Sequence, residues 1–327
     1  MNGSSTSYYI PISPALLVHD SGRQFDTFLR MGSSNRHILY AKHGSLTKKH
    51  KDLLLEREID CLYIRKEDRA AYDEYVQQNY GKILLDDGIP LDERSKIFYE
   101  QSNSIISSVF SHKLPRSVLD CALHKKLATI IQHNLDFIAA HNDSFKSIGK
   151  LIDHNYKTYS HSVNVNIYAV CLLQQLGFEK QIILDVSMGA LLHDIGKTSI
   201  PNSILDKPES LTPEEFEIIK THSARGVAAA QDLPMRQVTL NCILFHHEKL
   251  DGSGYPTGLT EEDIPPYCRA VTIADIYDAI TSKRAYNEPS TPFEALKTIV
   301  RDVERNKLDK ETFKCFVEIL SGAKLTT

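Results

Sequence analysis

Seven side chains in the second half of this chain could act together on metal ions: His161, His193, Asp194, His222, His246, His247 and Asp275. Taken singly, each has an ordinary role. A histidine among apolar residues is most often a hydrogen-bonded core residue, and Asp275 alone could cap a helix or pair with a cation. Adjacency changes that. His193-Asp194 follows the apolar run Gly189-Ala-Leu-Leu192 and precedes Ile195, so the pair sits where a core-facing helix ends. An ionised carboxylate there must be paired or metal-bound, because burying it alone costs several kcal/mol. Imidazole and carboxylate together suit a borderline cation such as Zn, Fe, Mn or Ni. One such ion takes about four protein ligands plus water, so this set is large enough for two. Two metals roughly 3.5–4 Å apart, sharing a carboxylate, supply hydroxide near neutral pH and clamp both oxygens of an in-line phosphoryl displacement. The chemistry expected is phosphate ester hydrolysis.

These residues must be carried on helices. TYSHSVNVNIYAVCLLQQLGF (158–178) reads as one helix stopped near Gly177, and IILDVSMGALLHDIGK (182–197) as another, with Gly196 placed for a left-handed C-cap. LTPEEFEIIKTHSARGVAAA (211–230) begins as a helix should: Thr212 caps, Pro213 takes the first position, and Glu215 completes a capping box. RAVTIADIYDAITSKRAY (269–286) is a further helix. No strand pattern interrupts them, so residues 151–327 are expected to form an all-α domain. Residues 91–150 read as a helical connector, whose His124, His133 and His141 fit surface positions. Residues 1–90 have another texture. Short β-like runs at 36–40 and 59–64 alternate with helical ones at 46–58 and 67–79, which suits a small α/β domain with a regulatory or dimer-forming role. The fold class expected is α+β overall, a small N-terminal α/β domain joined by helices to an all-α domain.

Composition narrows the class. With 327 residues two domains are the sensible prior, and 42% hydrophobic with 24% charged residues is ordinary for a globular chain. A net charge of −4 gives no sign of a general polyanion binder, so no DNA partner is expected. The six cysteines are scattered without a CxxC pair, which reads as reduced thiols in a cytoplasmic protein. No basic leader with an apolar run and no stretch of roughly 18 apolar residues occurs, so neither a signal peptide nor a membrane partner is expected.

HDIGK at 193–197, HHEKLDGSGYP at 246–256, YSHSVNV at 159–165 and IADIYDAITSKRAY at 273–286 together resemble the HD-GYP family, phosphodiesterases of the HD superfamily that hydrolyse cyclic di-GMP. The resemblance runs from about residue 150 to about residue 300. It implies an HD-type helical domain with two divalent metal ions, Fe or Mn, as cofactors. One site would use His161, His193, Asp194 and Asp275. The other would use His222, His246 and His247, with Asp194 bridging. Asp194 and Lys197 would carry the catalysis, with the Lys197 ammonium aimed at the substrate phosphate or the attacking hydroxide. Adjacent helix positions point about 100° apart, so His246 and His247 reach one ion most easily at a helix end, where the DGSGYP loop turns the chain away. Gly252 and Gly254 would take backbone angles closed to other residues, Pro256 would stiffen the exit, and Asp251 would hold the loop through backbone N–H groups. Gly254, Tyr255 and Pro256, with Arg284 as a phosphate contact at the end of the last helix, are the expected substrate-binding residues. The Tyr255 ring could pack on a guanine, or its hydroxyl could meet a phosphate.

The sequence departs from the family at two places. A glutamate that would hold a third metal is Lys157 here, which is why two metals are expected. A second basic residue is lost at Arg284-Ala285-Tyr286-Asn287, which leaves cyclic GMP-AMP or linear pGpG open as preferred substrates. The competing classes are a cyclic dinucleotide receptor without turnover and a generic HD phosphohydrolase acting on nucleoside phosphates. Zinc deaminases and HExxH proteases are excluded, since neither PCxxC nor HExxH occurs. A homodimer through the N-terminal half is the remaining partner expectation.

Overall fold

A computed structural model describes residues 8–18, 22–31, 36–44, 47–57, 59–111, 121–141, 143–152, 158–231, 233–282 and 289–322. The chain divides into two compact units, Met1–Ile97 and Phe98–Thr327.

The first unit holds strands β1 (Tyr9–Ile12), β2 (Thr27–Arg30), β3 (His37–Ala41) and β4 (Leu62–Arg65), with helices α1 (Lys48–Glu56) and α2 (Arg69–Leu85). The sheet order is β1-β4-β2-β3. Tyr9 faces Arg65, Phe28 faces Tyr63 and Arg30 faces His37, all in antiparallel register. The two strands and two helices legible in the sequence are all present. The α/β label needs correction, because every strand pair is antiparallel and β1 and β2 went unread. Both are only four residues long. β1 contains Pro11, which argues against a strand except at an edge, where β1 lies. Ile12, Phe28, Leu62 and Ile64 are buried, as are Tyr72, Tyr75, Val76 and Ile83 of α2. The Tyr75 hydroxyl ties α2 to the loop by donating to Val18 O and accepting from Val18 N.

α3 (Leu91–Ser111) begins in the first unit and ends in the second. The second unit continues with α4 (Cys121–Ala140), α5 (Ser144–Gly149), α6 (Thr158–Gln175), α7 (Lys180–Leu192), α8 (Asn202–Leu205), α9 (Pro213–Lys220), α10 (His222–Ala230), α11 (Gln237–Phe245), α12 (Pro266–Thr281), α13 (Pro292–Glu304) and α14 (Lys310–Ser321). α6 is its axis. Every residue from Ser160 to Leu173 is buried, the mark of a helix covered on all sides. It packs on α7, α12 and α14, and α7 packs on α11. α6 ends as expected: Gly177 takes φ 76, with Phe178 N donating to Leu173 O and Gly177 N to Gln174 O. No helix of the described residues is long and apolar enough to cross a membrane.

Three sequence expectations for these helices change. α7 stops at Leu192, and Ile195–Ser199 forms a separate 3-10 turn that contains Gly196. Gly196 therefore is no left-handed cap. It is required for close packing, since a Cβ there would run into the His222 carbonyl and the Gly226 amide. The helix expected over 211–230 is two helices that meet at Thr221, with His222 opening the second. α12 ends at Thr281, with Ser282 extended, and Arg284 lies outside the described residues, as does Lys157.

Candidate metal centre

Four of the seven candidate ligands stand at helix ends or breaks. His193 caps the C-terminus of α7 and Asp194 follows it, His222 opens α10 after the Thr221 break, and His246 caps the C-terminus of α11. His161 lies on the buried axis helix and Asp275 on α12, which pack on each other. His247 opens the loop after α11. The Gly196–Gly226 contact presses the turn after His193-Asp194 onto α10, which places His222 beside them.

The structure brings all seven side chains together. His161, His193 and Asp275 form one group able to hold a metal, His222, His246 and His247 another, and His193, Asp194 and His246 join them. Asp194 faces both sides: its Oδ2 lies 3.5 Å from His193 Nε2 and 3.9 Å from His161 Nε2, while its Oδ1 lies 3.4 Å from His222 Nε2. Asp275 is similar, with Oδ1 3.0 Å from His161 Nε2 and Oδ2 3.5 Å from His247 Nδ1. His247 is half-buried, and the other six are buried.

The hydrogen bonds fix which nitrogens carry protons. His193, His222 and His246 each place Nδ1 against the carbonyl three residues back, at Ala190 (2.8 Å), Ile219 (2.7 Å) and Ile243 (2.9 Å). A carbonyl only accepts, so each Nδ1 donates and each Nε2 is left for the centre. Burial disfavours the imidazolium. It lowers His193 and His222, holds His246 well below the ordinary range and takes His247 down to about 3. Neutral rings with protonated Nδ1 present Nε2 lone pairs, and His222 and His246 point theirs at each other across 3.1 Å. Burial alone would raise the two carboxyls. Lys197 together with the surrounding histidines outweighs it at Asp194, and the His161 hydrogen bond together with His247 and His193 outweighs it at Asp275, so both stay well below the usual carboxylate range. His193 Nε2 and Asp194 Oδ1 are buried without a hydrogen-bond partner. Converging lone pairs, orphaned acceptors and two carboxylates are what cations would satisfy, so this donor set fits divalent metals.

Four residues that the sequence reading passed over complete the frame. Asp278, fully buried, accepts from His161 Nδ1 at 2.7 Å and from Asn164 Nδ2 at 2.9 Å. Asn164 Oδ1 in turn accepts from the Tyr99 hydroxyl at 3.0 Å. The signal for Asp278 was present: it lies three residues after Asp275, on the same face of α12. The fourth, Glu248, pins the following loop by accepting from Thr257 N and Oγ1, Gly258 N and Leu259 N. Asp251 does hold its turn, accepting from Ser253 N and Oγ.

Lys197 Nζ donates to Asp194 Oδ2 at 2.6 Å and is partly exposed at the mouth of the centre. Tyr255 reaches the same mouth, its ring 4.6 Å from that of His247 at 35°. Gly252 has φ 76, as a loop glycine should. Gly254 has no such angle. A Cβ there would strike the backbone of Glu248 and Lys249, so this glycine serves close approach. Pro256 is exposed and follows a cis peptide bond.

The HD domain family profile matches residues 127–312. A cyclic di-GMP phosphodiesterase of Thermotoga maritima is 30% identical over 247 residues, covering 73% of this chain and 63% of that protein. One from Pseudomonas aeruginosa is 36% identical over 242 residues, covering 73% and 56%. The chain thus spans less than two thirds of the length of either relative. Among solved structures, Bd1817, an HDG"Y"P protein from Bdellovibrio bacteriovorus, superposes with a TM-score of 0.65 at 22% identity, over 96% of this chain and all of that one, a likeness of fold. The match of its helical half, together with the HD and GYP motifs set around one buried cluster, shows that this chain belongs to the HD domain family.

Proposed function

We propose that this chain is a phosphodiesterase that hydrolyses cyclic di-GMP to pGpG, with two divalent metal ions, Fe or Mn, held by the seven ligands. The observation that carries the reading is Asp194, whose two oxygens address different histidines, His161 and His193 on one side and His222 on the other. A carboxylate in that position suits a pair of ions. Bound there, they would supply Lewis acidity, activating water near neutral pH and neutralising phosphoryl charge.

The chain's own residues account for the rest. His193, His222 and His246 are held as neutral Nε2 donors by their carbonyl hydrogen bonds. Lys197, paired to Asp194 and partly exposed, places positive charge where a phosphodiester would enter. The Tyr255 loop, pinned by Glu248, borders the entrance.

The test is product analysis with metal-loaded protein on cyclic di-GMP and cyclic GMP-AMP, beside elemental analysis. The expected result is about two equivalents of metal per chain, consumption of cyclic di-GMP, and loss of turnover in Asp194→Ala by at least about a hundredfold. Equal consumption by wild type and Asp194→Ala would end the enzyme reading, and a preference for cyclic GMP-AMP would reassign the substrate.

A further inference from the structure

α9 stands beside the metal centre and is unusually well fastened. Thr212 Oγ1 accepts from Glu215 N at 3.2 Å, Glu215 Oε2 accepts from Thr212 N at 2.8 Å, and Lys207 Nζ donates to both Glu215 oxygens. This fixed helix nevertheless leaves Phe216 44% exposed. A lone exposed phenylalanine means little, but Phe216 is not isolated. Its ring lies 6.4 Å from that of Tyr255 at 80°, so the two form a corner, and Tyr255 is itself laid against His247. Lys220, one turn along α9, holds Nζ over both rings, 5.0 Å from the Phe216 centroid and 5.8 Å from that of Tyr255, steadied by Glu217 Oε1 at 2.6 Å. The loop side of the corner is pinned by Glu248 and the helix side by the capping box, so both walls are set in advance.

Two perpendicular rings offer a flat guest a face from one and an edge from the other. A purine is such a guest, and base–aromatic stacking is tolerant of which base it is. Discrimination must come from a polar group at the base edge. Guanine shows two acceptors there, O6 and N7, whereas adenine shows N7 beside an N6 amino donor. An ammonium can only donate. We propose that Phe216, Tyr255 and Lys220 form a purine-binding corner beside the metal-ligating histidines, in which one base of the substrate stacks and Lys220 selects guanine over adenine. The assignment rests on the phosphodiesterase reading for its substrate, but its own content is base recognition.

The full-length, metal-loaded protein is assayed on cyclic di-GMP, cyclic di-AMP and bis(p-nitrophenyl) phosphate, a diester without a purine, and binding of GMP and AMP is titrated by calorimetry. Phe216→Ala lowers the ratio of kcat/KM for cyclic di-GMP to that for the purine-free diester about tenfold. Phe216→Leu, which keeps apolar volume without a π face, lowers it in the same direction and guards against misfolding. Lys220→Met shrinks the guanine-over-adenine preference about tenfold. An unchanged ratio in both Phe216 variants, or an unchanged base preference in Lys220→Met, overturns the corner. Should the wild type cleave none of the three diesters, the phosphodiesterase reading fails separately. The corner then stands if Phe216→Ala weakens GMP binding about tenfold, and falls if binding is unchanged.

Discussion

At the scale of single residues, Asp278 supports a candidate metal ligand from behind, accepting from His161 Nδ1 at 2.7 Å. Histidine and aspartate announce metal chemistry through their type, and His193-Asp194 and His246-His247 through adjacency, so all seven candidates are legible in the sequence. Asp278 has the same type and sits on the same helix, but its task depends on what faces α12, which only packing decides. Because a carboxylate only accepts, Asp278 compels His161 to protonate Nδ1 and compels the Asn164 amide nitrogen to face it, which leaves Asn164 Oδ1 for Tyr99. This chain of bonds sets the tautomer and ring plane of His161 from outside the centre. Asp278→Asn should therefore lower metal affinity or activity about 10–100-fold while the fold survives. Metal titration followed by calorimetry, with circular dichroism as the control, checks this. Unchanged affinity would show that His161 needs no outer partner.

At the scale of elements, the periodicity of the helical half was readable, and its breaks and contacts were not. The T-x-x-E box, the apolar runs and the Gly177 stop are local signals, and α6, α7, α9 and α12 stand close to where those signals put them. The split at Thr221 and the 3-10 turn at Ile195–Ser199 are tertiary events: α10 crosses so near this turn that backbone meets backbone. Glycine was correctly marked at 196 but for the wrong reason, since a sequence shows a missing side chain and not what would strike it. The same holds at Gly254, where the obstacle is the Glu248–Lys249 backbone. Gly196→Ala should force α10 away from the turn after Asp194 and carry His222 with it. We expect a loss of roughly 1–3 kcal/mol in stability, in the range of overpacking, together with loss of the metal group that contains His222. Urea unfolding and metal stoichiometry measure the two effects. A variant with wild-type stability and full metal content would show that the contact relaxes freely.

At the scale of the whole molecule, the chain forms two compact units, Met1–Ile97 and Phe98–Thr327. The alternating runs of the first unit revealed two of its four strands, and an antiparallel sheet of such short strands depends on partners far along the chain that no local window contains. The metal-capable groups among the described residues all lie in the second unit, between His161 and Asp275. Without cations, that unit must bury imidazole lone pairs facing one another and two carboxylates, which opposes its folding; with them, the same groups become ligands and binding energy adds to stability. The gain follows the logarithm of free metal over its dissociation constant, about 4 kcal/mol at a thousandfold excess. It should fall on the helices that carry the ligands. In hydrogen–deuterium exchange, adding Mn or Fe(II) to chelator-treated protein should slow exchange in α6, α7, α10, α11 and α12, while peptides from β1 to β4 keep their rates. Equal slowing in both units would mean that the cations act on the chain as a whole, and no slowing in α6 and α12 would mean that His161 and Asp275 hold no metal.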